Sequence, residues 1–129
     1  MIDFKREVTP DGIAIVSLEG WLEEFSCPYF ADCMRDLSDD GYDEIIIDCT
    51  GLGLISSSCL GSLIRSNKRA KQGNVTISLA NVNSAPLEVI GFLGLKKLFG
   101  IHPSVEAALS RARKRRERRP SIAQQSTAA

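Results

Sequence analysis

The stretch "IIIDCTGLGLISSSCLG", residues 45–61, joins a continuous apolar run to three consecutive serines and an apparent helix. An apolar run flanked by acidic residues is typical of a β-strand that is covered on both faces of its sheet. After the serines, Leu60, Leu63 and Ile64 recur at the spacing of one helical face. The pattern therefore predicts a buried strand, a turn that carries the serines, and a helix that begins at this turn.

The remaining sequence predicts further strands and helices in alternation. The N-terminal "MIDFKREV" is expected to pair as a hairpin with the β-branched strand of residues 12–20, across the turn-rich "TPDG". Beyond these, the patterns predict helices at residues 28–37, 85–95 and 103–115, a strand at 74–82 and a short strand at 97–101. This alternation indicates an α/β fold with a mainly parallel sheet.

Length and composition are those of one globular domain, with 129 residues, 43% hydrophobic and 25% charged. No apolar run approaches the roughly 20 residues that a membrane helix requires. The N-terminal residues lack the apolar core of a signal peptide. We therefore expect a soluble cytoplasmic protein with no membrane span.

The zero net charge conceals a basic run, "RARKRRERR", at residues 111–119. This run holds seven of the 16 basic residues and one of the 16 acidic ones, so its charge is +6 and that of the rest is −6. We interpret residues 1–112 as the domain and 113–129 as a basic, disordered tail, with an auxiliary contact to a protein or an anionic membrane as the alternative. The run lacks aromatic residues and the body is acidic, so no direct nucleic-acid binding is expected.

The four cysteines, Cys27, Cys33, Cys49 and Cys59, include no CxxC pair, and His102 is the only histidine. Metal sites usually have closely spaced ligands. We therefore expect reduced, mostly buried thiols, with no metal and no cofactor.

Patterns typical of enzymes are weak. There is no GxSxG nucleophile elbow, His102 is interpreted as a helix-entry residue, and "GLGLIS" lacks the third glycine of GxGxxG and the GK[ST] of a P-loop. The adjacent carboxylates Glu23 and Glu24, and Asp39 and Asp40, are interpreted as solvated charges. No catalytic residue is predicted.

The three serines have two interpretations. A serine at the start of a helix commonly acts as an N-cap, which is worth about 1 kcal/mol. One cap accounts for one serine and leaves two unexplained. A helix N-terminus also stabilises negative charge, so the turn would tolerate a phosphate that adds about −1.5 to −2 charges. Capping and phosphorylation both remain open at this point.

Two segments resemble a known family. "IIIDCTGLGLISSSCLGSLIRSNKRAKQGNVTISLANV" and "VIGFLGLKKLFGIHPSVEAAL" are similar to the STAS domain of bacterial anti-sigma-factor antagonists, and the resemblance covers about residues 3–110. It implies a single α/β domain with a central mixed, mostly parallel sheet of four to five strands. It also implies about four helices, packed mostly on one face, and an N-terminal edge hairpin.

The resemblance also implies a site. Ser57 falls on the phosphoacceptor serine of the family, with Ser56 and Ser58 as alternates, and Asp48 falls on its strand-end acid. Ser56 stands where the family has Asp, and Cys59 stands where it usually has Gly. The partner-binding residues that the resemblance implies are Glu23, Ser56, Ser58, Cys59, Ser62, Arg65 and Ser66.

The function that the resemblance implies is partner switching. The unphosphorylated protein would bind a serine protein kinase that acts as an anti-sigma factor or a similar regulator. Phosphorylation by that kinase would release it, and a PP2C-type phosphatase would reset it. The alternative is a constitutive STAS subunit of a stressosome-like scaffold or a transport complex, in which the serines act only as caps. Neither alternative makes the domain an enzyme.

Overall fold

The computed structural model describes residues 2–118, which form five strands and four helices. In chain order these elements are β1 (Ile2–Val8), β2 (Ala14–Leu22), α1 (Cys27–Asp39), β3 (Glu44–Ile55), α2 (Ser57–Gln72), β4 (Thr76–Ala80), α3 (Ser84–Phe92), β5 (Gly100–His102) and α4 (Val105–Arg118). The α/β class is confirmed. Within residues 2–118, no helix is both long enough and apolar enough to cross a membrane.

The strands form one sheet in the order β1-β2-β3-β4-β5. β1 pairs with β2 in the antiparallel sense, whereas each later neighbour is parallel. The mixed, mostly parallel sheet and the edge hairpin are therefore confirmed. Because β2 to β5 are parallel, their carboxyl ends point toward the same end of the sheet, and the serines follow β3 at this end.

Helices cover the two faces of the sheet unequally. α1, α2 and α3 pack on one face and form the larger apolar cluster, whereas α4 packs on the other face over a smaller one. The isoleucines of β3 divide between the faces: Ile45 and Ile47 belong to the larger cluster and Ile46 to the smaller. This confirms that the helices lie mostly on one face and that β3 is covered on both.

β3 is longer than the sequence predicts. Residues 51–55, whose glycines resemble a loop, continue the strand because β2 still pairs with them after the pairing with β4 has ended at Asp48. Gly51 permits this approach, since a Cβ atom there would lie 2.8 Å from the carbonyl oxygen of Leu18. Close packing of two strands, rather than a turn, explains this glycine.

The predicted boundary between domain and tail, at residue 112, falls inside α4, which continues to Arg118. Basic side chains of its last turns pair with acidic residues of the body. The ion pairs are Arg113–Asp11 at 2.9 Å, Arg115–Glu44 at 2.7 Å and Arg116–Asp43 at 2.6 Å. The remainder of the predicted tail, residues 119–129, lies outside the described residues.

Candidate phosphorylation and partner-binding site

The three serines, residues 56–58, form a turn between β3 and α2, which we call the serine turn. Ser56 is the N-cap of α2: its Oγ accepts a hydrogen bond from the Cys59 backbone N–H at 3.1 Å. The Ser56 N–H donates to the carbonyl of Leu22 at 2.9 Å, which ties the turn to the end of β2. Ser57 and Ser58 are the first two residues of the helix, and both are exposed. Ser56 thus serves the helix, whereas its two neighbours face solvent.

The exposed side of α2 brings together three of the predicted partner-binding residues. Ser62, Arg65 and Ser66 line a groove of about 380 Å³ between α1 and α2. Arg65 donates a hydrogen bond to the Ser62 hydroxyl at 3.1 Å. Its guanidinium also lies over Gly61, 3.5 Å from the point where a Cβ atom would stand. Ser57, Gly61 and Arg65 are spaced four residues apart, so they lie on the same face of α2, and the Arg65 guanidinium reaches toward the serine turn.

Glu23 is joined to the start of α2 through its backbone. It begins the loop of residues 23–26, in which its N–H donates to the Ser26 hydroxyl at 2.9 Å. The N–H groups of Ser26 and Cys27 both donate to its carbonyl, at 2.9 and 3.0 Å. The Cys59 sulfur lies 3.0 Å from this same oxygen. The structure therefore places the predicted residues Glu23 and Cys59 side by side.

The expectation of four reduced thiols is wrong for two of them, because Cys27 and Cys59 form a disulfide with a Cα–Cα distance of 5.1 Å. The loop 23–26 brings the first turns of α1 and α2 together, which the wide separation in sequence concealed. Cys59 is buried, so its side chain does not belong to the exposed face of α2. Cys33 and Cys49 are free, and burial raises the pKa of Cys49 to about 12.

An apolar patch beside the serine turn was not predicted. It consists of Trp21, Phe25, Tyr29 and Leu54, which are all exposed, Phe25 at 88%. Trp21 and Leu54 are register partners on β2 and β3, and the Trp21 ring lies against Gly53. Phe25 stands in the loop 23–26 that contacts Cys59. Their sequence positions gave no indication of exposure, since aromatic residues next to strands are usually buried.

A polar network supports the extension of β3 below the serine turn. Asp48 accepts hydrogen bonds from the Thr50 hydroxyl at 2.6 Å and from the Asn81 amide at 3.2 Å. Burial opposes ionisation of Asp48, but these hydrogen bonds outweigh it and hold its pKa below the usual value. The Asn83 amide donates to the carbonyls of Thr50 and Leu52, at 3.0 and 2.9 Å. Asp48 therefore supports the strand at the point where its pairing with β4 ends. The resemblance placed this residue at the end of the strand, but β3 continues to Ile55.

The other titratable candidates lie elsewhere. His102 ends β5 rather than entering α4, and burial together with the charges of Arg115 and Arg111 lowers its pKa. Asp40 faces Arg6 in an exposed ion pair at 3.4 Å, and Glu24 is exposed.

The comparisons with known proteins agree with this geometry. A model of the STAS domain family matches residues 6–108. A search of curated protein sequences found no significant match.

Among the solved structures that share the fold are four structures of three proteins. An anti-sigma factor antagonist from Mycobacterium paratuberculosis has a TM-score of 0.78 at 21% identity, covering 88% of this chain and 95% of that one. The anti-sigma factor antagonist SpoIIAA in its unphosphorylated form has a TM-score of 0.74 at 19% identity, covering 87% and 97%. Its phosphorylated form, from Bacillus, has a TM-score of 0.67 at 19% identity, covering 85% and 99%. A sulfate transporter family protein from Wolinella succinogenes has a TM-score of 0.68 at 16% identity, covering 86% and 93%. With the family match over most of its length, this chain belongs to the STAS domain family.

Proposed function

We propose that this STAS domain is a phosphorylation-controlled protein-binding regulator similar to the anti-sigma factor antagonists. Unphosphorylated, it binds a serine protein kinase of the anti-sigma type; phosphorylation of Ser57 releases it, and a PP2C-type phosphatase restores it. The observation that carries the proposal is the exposure of Ser57 at the first residue of α2, beside a separate residue that caps the helix.

The first turn of α2 suits a phosphate at Ser57. Ser57 and Ser58 are the first residues of the helix, where backbone N–H groups have no intrahelical acceptor. This end is also the positive end of the helix dipole, so it stabilises a negative charge. The first turn of α2 carries no acidic residue that would repel the added charge. Arg65, whose guanidinium lies over Gly61, supplies a cation on the same side of the helix. Ser58 shares the exposed position and is the alternate acceptor, whereas Ser56 is engaged in the cap.

The partner surface that we propose surrounds this acceptor. The apolar patch lies on one side of the serine turn, and the groove lined by Ser62, Arg65 and Ser66 lies along α2. Aromatic and arginine side chains are the types that most often dominate binding energy at protein interfaces. A phosphate at Ser57 would add a charge of about −1.5 to −2 next to the patch and oppose docking by a surface suited to the neutral form. In this mechanism the kinase performs the chemistry, and no catalytic residue of this chain is required.

The proposal is tested by phosphopeptide mass spectrometry on the protein isolated from its own cells, with and without phosphatase treatment. We expect one phosphate on the peptide that carries residues 56–58, removable by the phosphatase and absent from a Ser57→Ala variant. A Ser58→Ala variant is the matched control and should retain the phosphate. An unmodified peptide under every growth condition would refute the switch.

A second candidate is a constitutive binding subunit. The shared fold of the sulfate transporter family protein supports it, as does the replacement of the family Asp by Ser56, which caps α2 in the way that an Asp could. This candidate predicts a stable complex that survives both phosphatase and kinase treatment. Ser57→Asp and Ser57→Ala would then bind the partner equally.

A further inference from the structure

The Cys27–Cys59 disulfide joins the two parts of the proposed docking surface. Cys27 is the first residue of α1 and Cys59 the third residue of α2, at a sequence separation of 32. One side of the link carries the loop 23–26 with Phe25, and the other carries Ser57 and Ser58. A bond at this place fixes the serine turn relative to the apolar patch.

Besides the disulfide, few interactions join these parts. The Ser56 N–H donates to the Leu22 carbonyl, and the sulfur atoms of Cys27 and Cys59 lie 3.1 and 3.0 Å from the Glu23 carbonyl oxygen. The other hydrogen bonds of the loop lie within it or join it to β2 and α1: the Ser26 hydroxyl contacts the carbonyls of Trp21 and Glu23, and the Ser26 carbonyl accepts from the Phe30 N–H. The covalent bond is therefore the strongest connection between the loop 23–26 and the first turn of α2.

We propose that the Cys27–Cys59 pair is a thiol–disulfide modification site, through which a dithiol reductant releases the loop 23–26 from the serine turn. One thiolate of the reductant attacks Cys27 Sγ, the Cys27–Cys59 bond breaks, and Cys59 leaves as a thiolate that takes up a proton. The second thiol of the reductant then attacks the mixed disulfide and releases Cys27, which is also protonated. The two cysteines gain two electrons and two protons, and the reductant becomes a disulfide.

The exposure of the two cysteines favours attack at Cys27. Both residues are buried, but Cys27 is 6% exposed and Cys59 1%. Both cysteines lie in the first turn of a helix, Cys27 in α1 and Cys59 in α2, where the helix dipole stabilises the thiolate that leaves. Cys33 and Cys49 remain free in the same chain, which supplies internal control thiols.

The state of the pair is measured by differential alkylation of the full chain. The protein is denatured in iodoacetamide without reductant, then reduced and treated with N-ethylmaleimide, so that only disulfide-bonded cysteines carry the second label. Chymotrypsin gives separate peptides, since Phe30 lies between Cys27 and Cys33 and Leu54 lies between Cys49 and Cys59. We expect the second label on Cys27 and Cys59 alone, and its loss after the folded protein is incubated with dithiothreitol.

The consequence is measured by amide hydrogen exchange of the oxidised and reduced proteins. We expect the amides of residues 22–27 and 56–60 to exchange about tenfold faster after reduction. The reason is that reduction removes part of the constraint that a cross-link between residues 32 positions apart imposes on these segments. β3 and β4 should be unchanged. Cys33→Ser should retain the redox difference, whereas Cys27→Ser/Cys59→Ser should exchange like reduced wild type under both conditions.

Three results would overturn the inference: iodoacetamide label on Cys27 and Cys59 before reduction, a disulfide that dithiothreitol cannot reach in the folded protein, or equal exchange in the two states. The exchange measurement on reduced wild type needs no variant, so a misfolded double mutant would not decide the outcome. Control of partner docking rests on the proposed function, but the redox response does not. A redox response without any phosphate at Ser57 would leave this inference standing and refute the switch.

Discussion

The serine turn and the end of α4 are both dense polar clusters in the sequence, but the fold treats them in opposite ways. At the end of α4, arginines pair with acidic residues from the loop before β2 and from the start of β3. At the serine turn, one hydroxyl is used for a cap and two face solvent, next to exposed aromatic residues.

The difference teaches that a charge run need not be an interaction surface. Several cations that seemed available to a partner are neutralised inside the chain, where they fasten α4 to the sheet. The smaller serine cluster, uncharged and easily interpreted as a cap, keeps its hydroxyls accessible. Whether a polar cluster is available to a partner therefore depends on the partners that the rest of the fold supplies to it.

Arg115→Ala should have the largest effect, on stability. Glu44 is 0% exposed, and Arg115 donates two hydrogen bonds to its carboxylate at 2.7 and 3.0 Å. The Arg115 side chain is 30% exposed, so removing this partner of the buried Glu44 carboxylate should lower the free energy of unfolding in urea by about 2 kcal/mol, less than for a fully buried ion pair. The exposed Lys114 of the same helix is the matched control, and Lys114→Ala should change it by less than about 0.5 kcal/mol. Equal losses would show that the charges of α4 are interchangeable.

Phe25→Ala should have the next largest effect, on binding. Phe25 is highly exposed in the loop beside the serine turn, as expected of an interface anchor. Its truncation should weaken the affinity for the proposed partner kinase by about 2 kcal/mol, roughly 30-fold, in a calorimetric titration. Val8→Ala is the control, because this exposed side chain lies at the other end of the β1–β2 hairpin. Unchanged binding by Phe25→Ala would remove the apolar patch from the interface.

Within the serine turn, Ser56→Ala should lower the free energy of unfolding by about 1 kcal/mol, since it removes the cap on the Cys59 N–H. Thermal denaturation followed by circular dichroism measures this change. Ser57→Ala should change stability by less than about 0.5 kcal/mol, because its exposed hydroxyl is not the cap. Ser56→Asp, which restores a capping carboxylate, should retain the stability. A destabilised Ser57→Ala would contradict the division of roles between these two serines.

Asp48→Asn should have the smallest effect, and it should depend on pH. The folded-state pKa of Asp48 is lowered, so the carboxylate stabilises the fold above the unfolded value of about 3.9, and this contribution is lost as the pH falls through the folded pKa. The stability difference from wild type should be below about 1 kcal/mol at pH 7, because solvent screens a half-exposed group, and should close in acid. Urea unfolding of wild type and variant at pH 7 and in acid, below the folded-state pKa, measures this difference. A difference that persists in acid would assign the effect to packing.

The sequence predicted the class of the fold because its patterns are local: apolar runs, helical spacing and caps span a few residues. The position of the serine turn followed from the same patterns. Local patterns could not predict three other features, because each depends on segments that are far apart in the chain. These are the disulfide, the ion pair of Arg115 with Glu44 and the exposure of Phe25. The predicted length of β3 was wrong for a related reason, since Gly51 allows the close approach of β2 and does not form a turn.

The cap at Ser56 has a consequence for how the two forms would differ. Because the N-cap of α2 is Ser56 and not Ser57, a phosphate on Ser57 would leave the helix and its hydrogen bonds in place. The two forms would then share one backbone and differ in surface potential. A partner would distinguish them by electrostatic free energy rather than by shape, so its preference would weaken as the ionic strength of the solution rises.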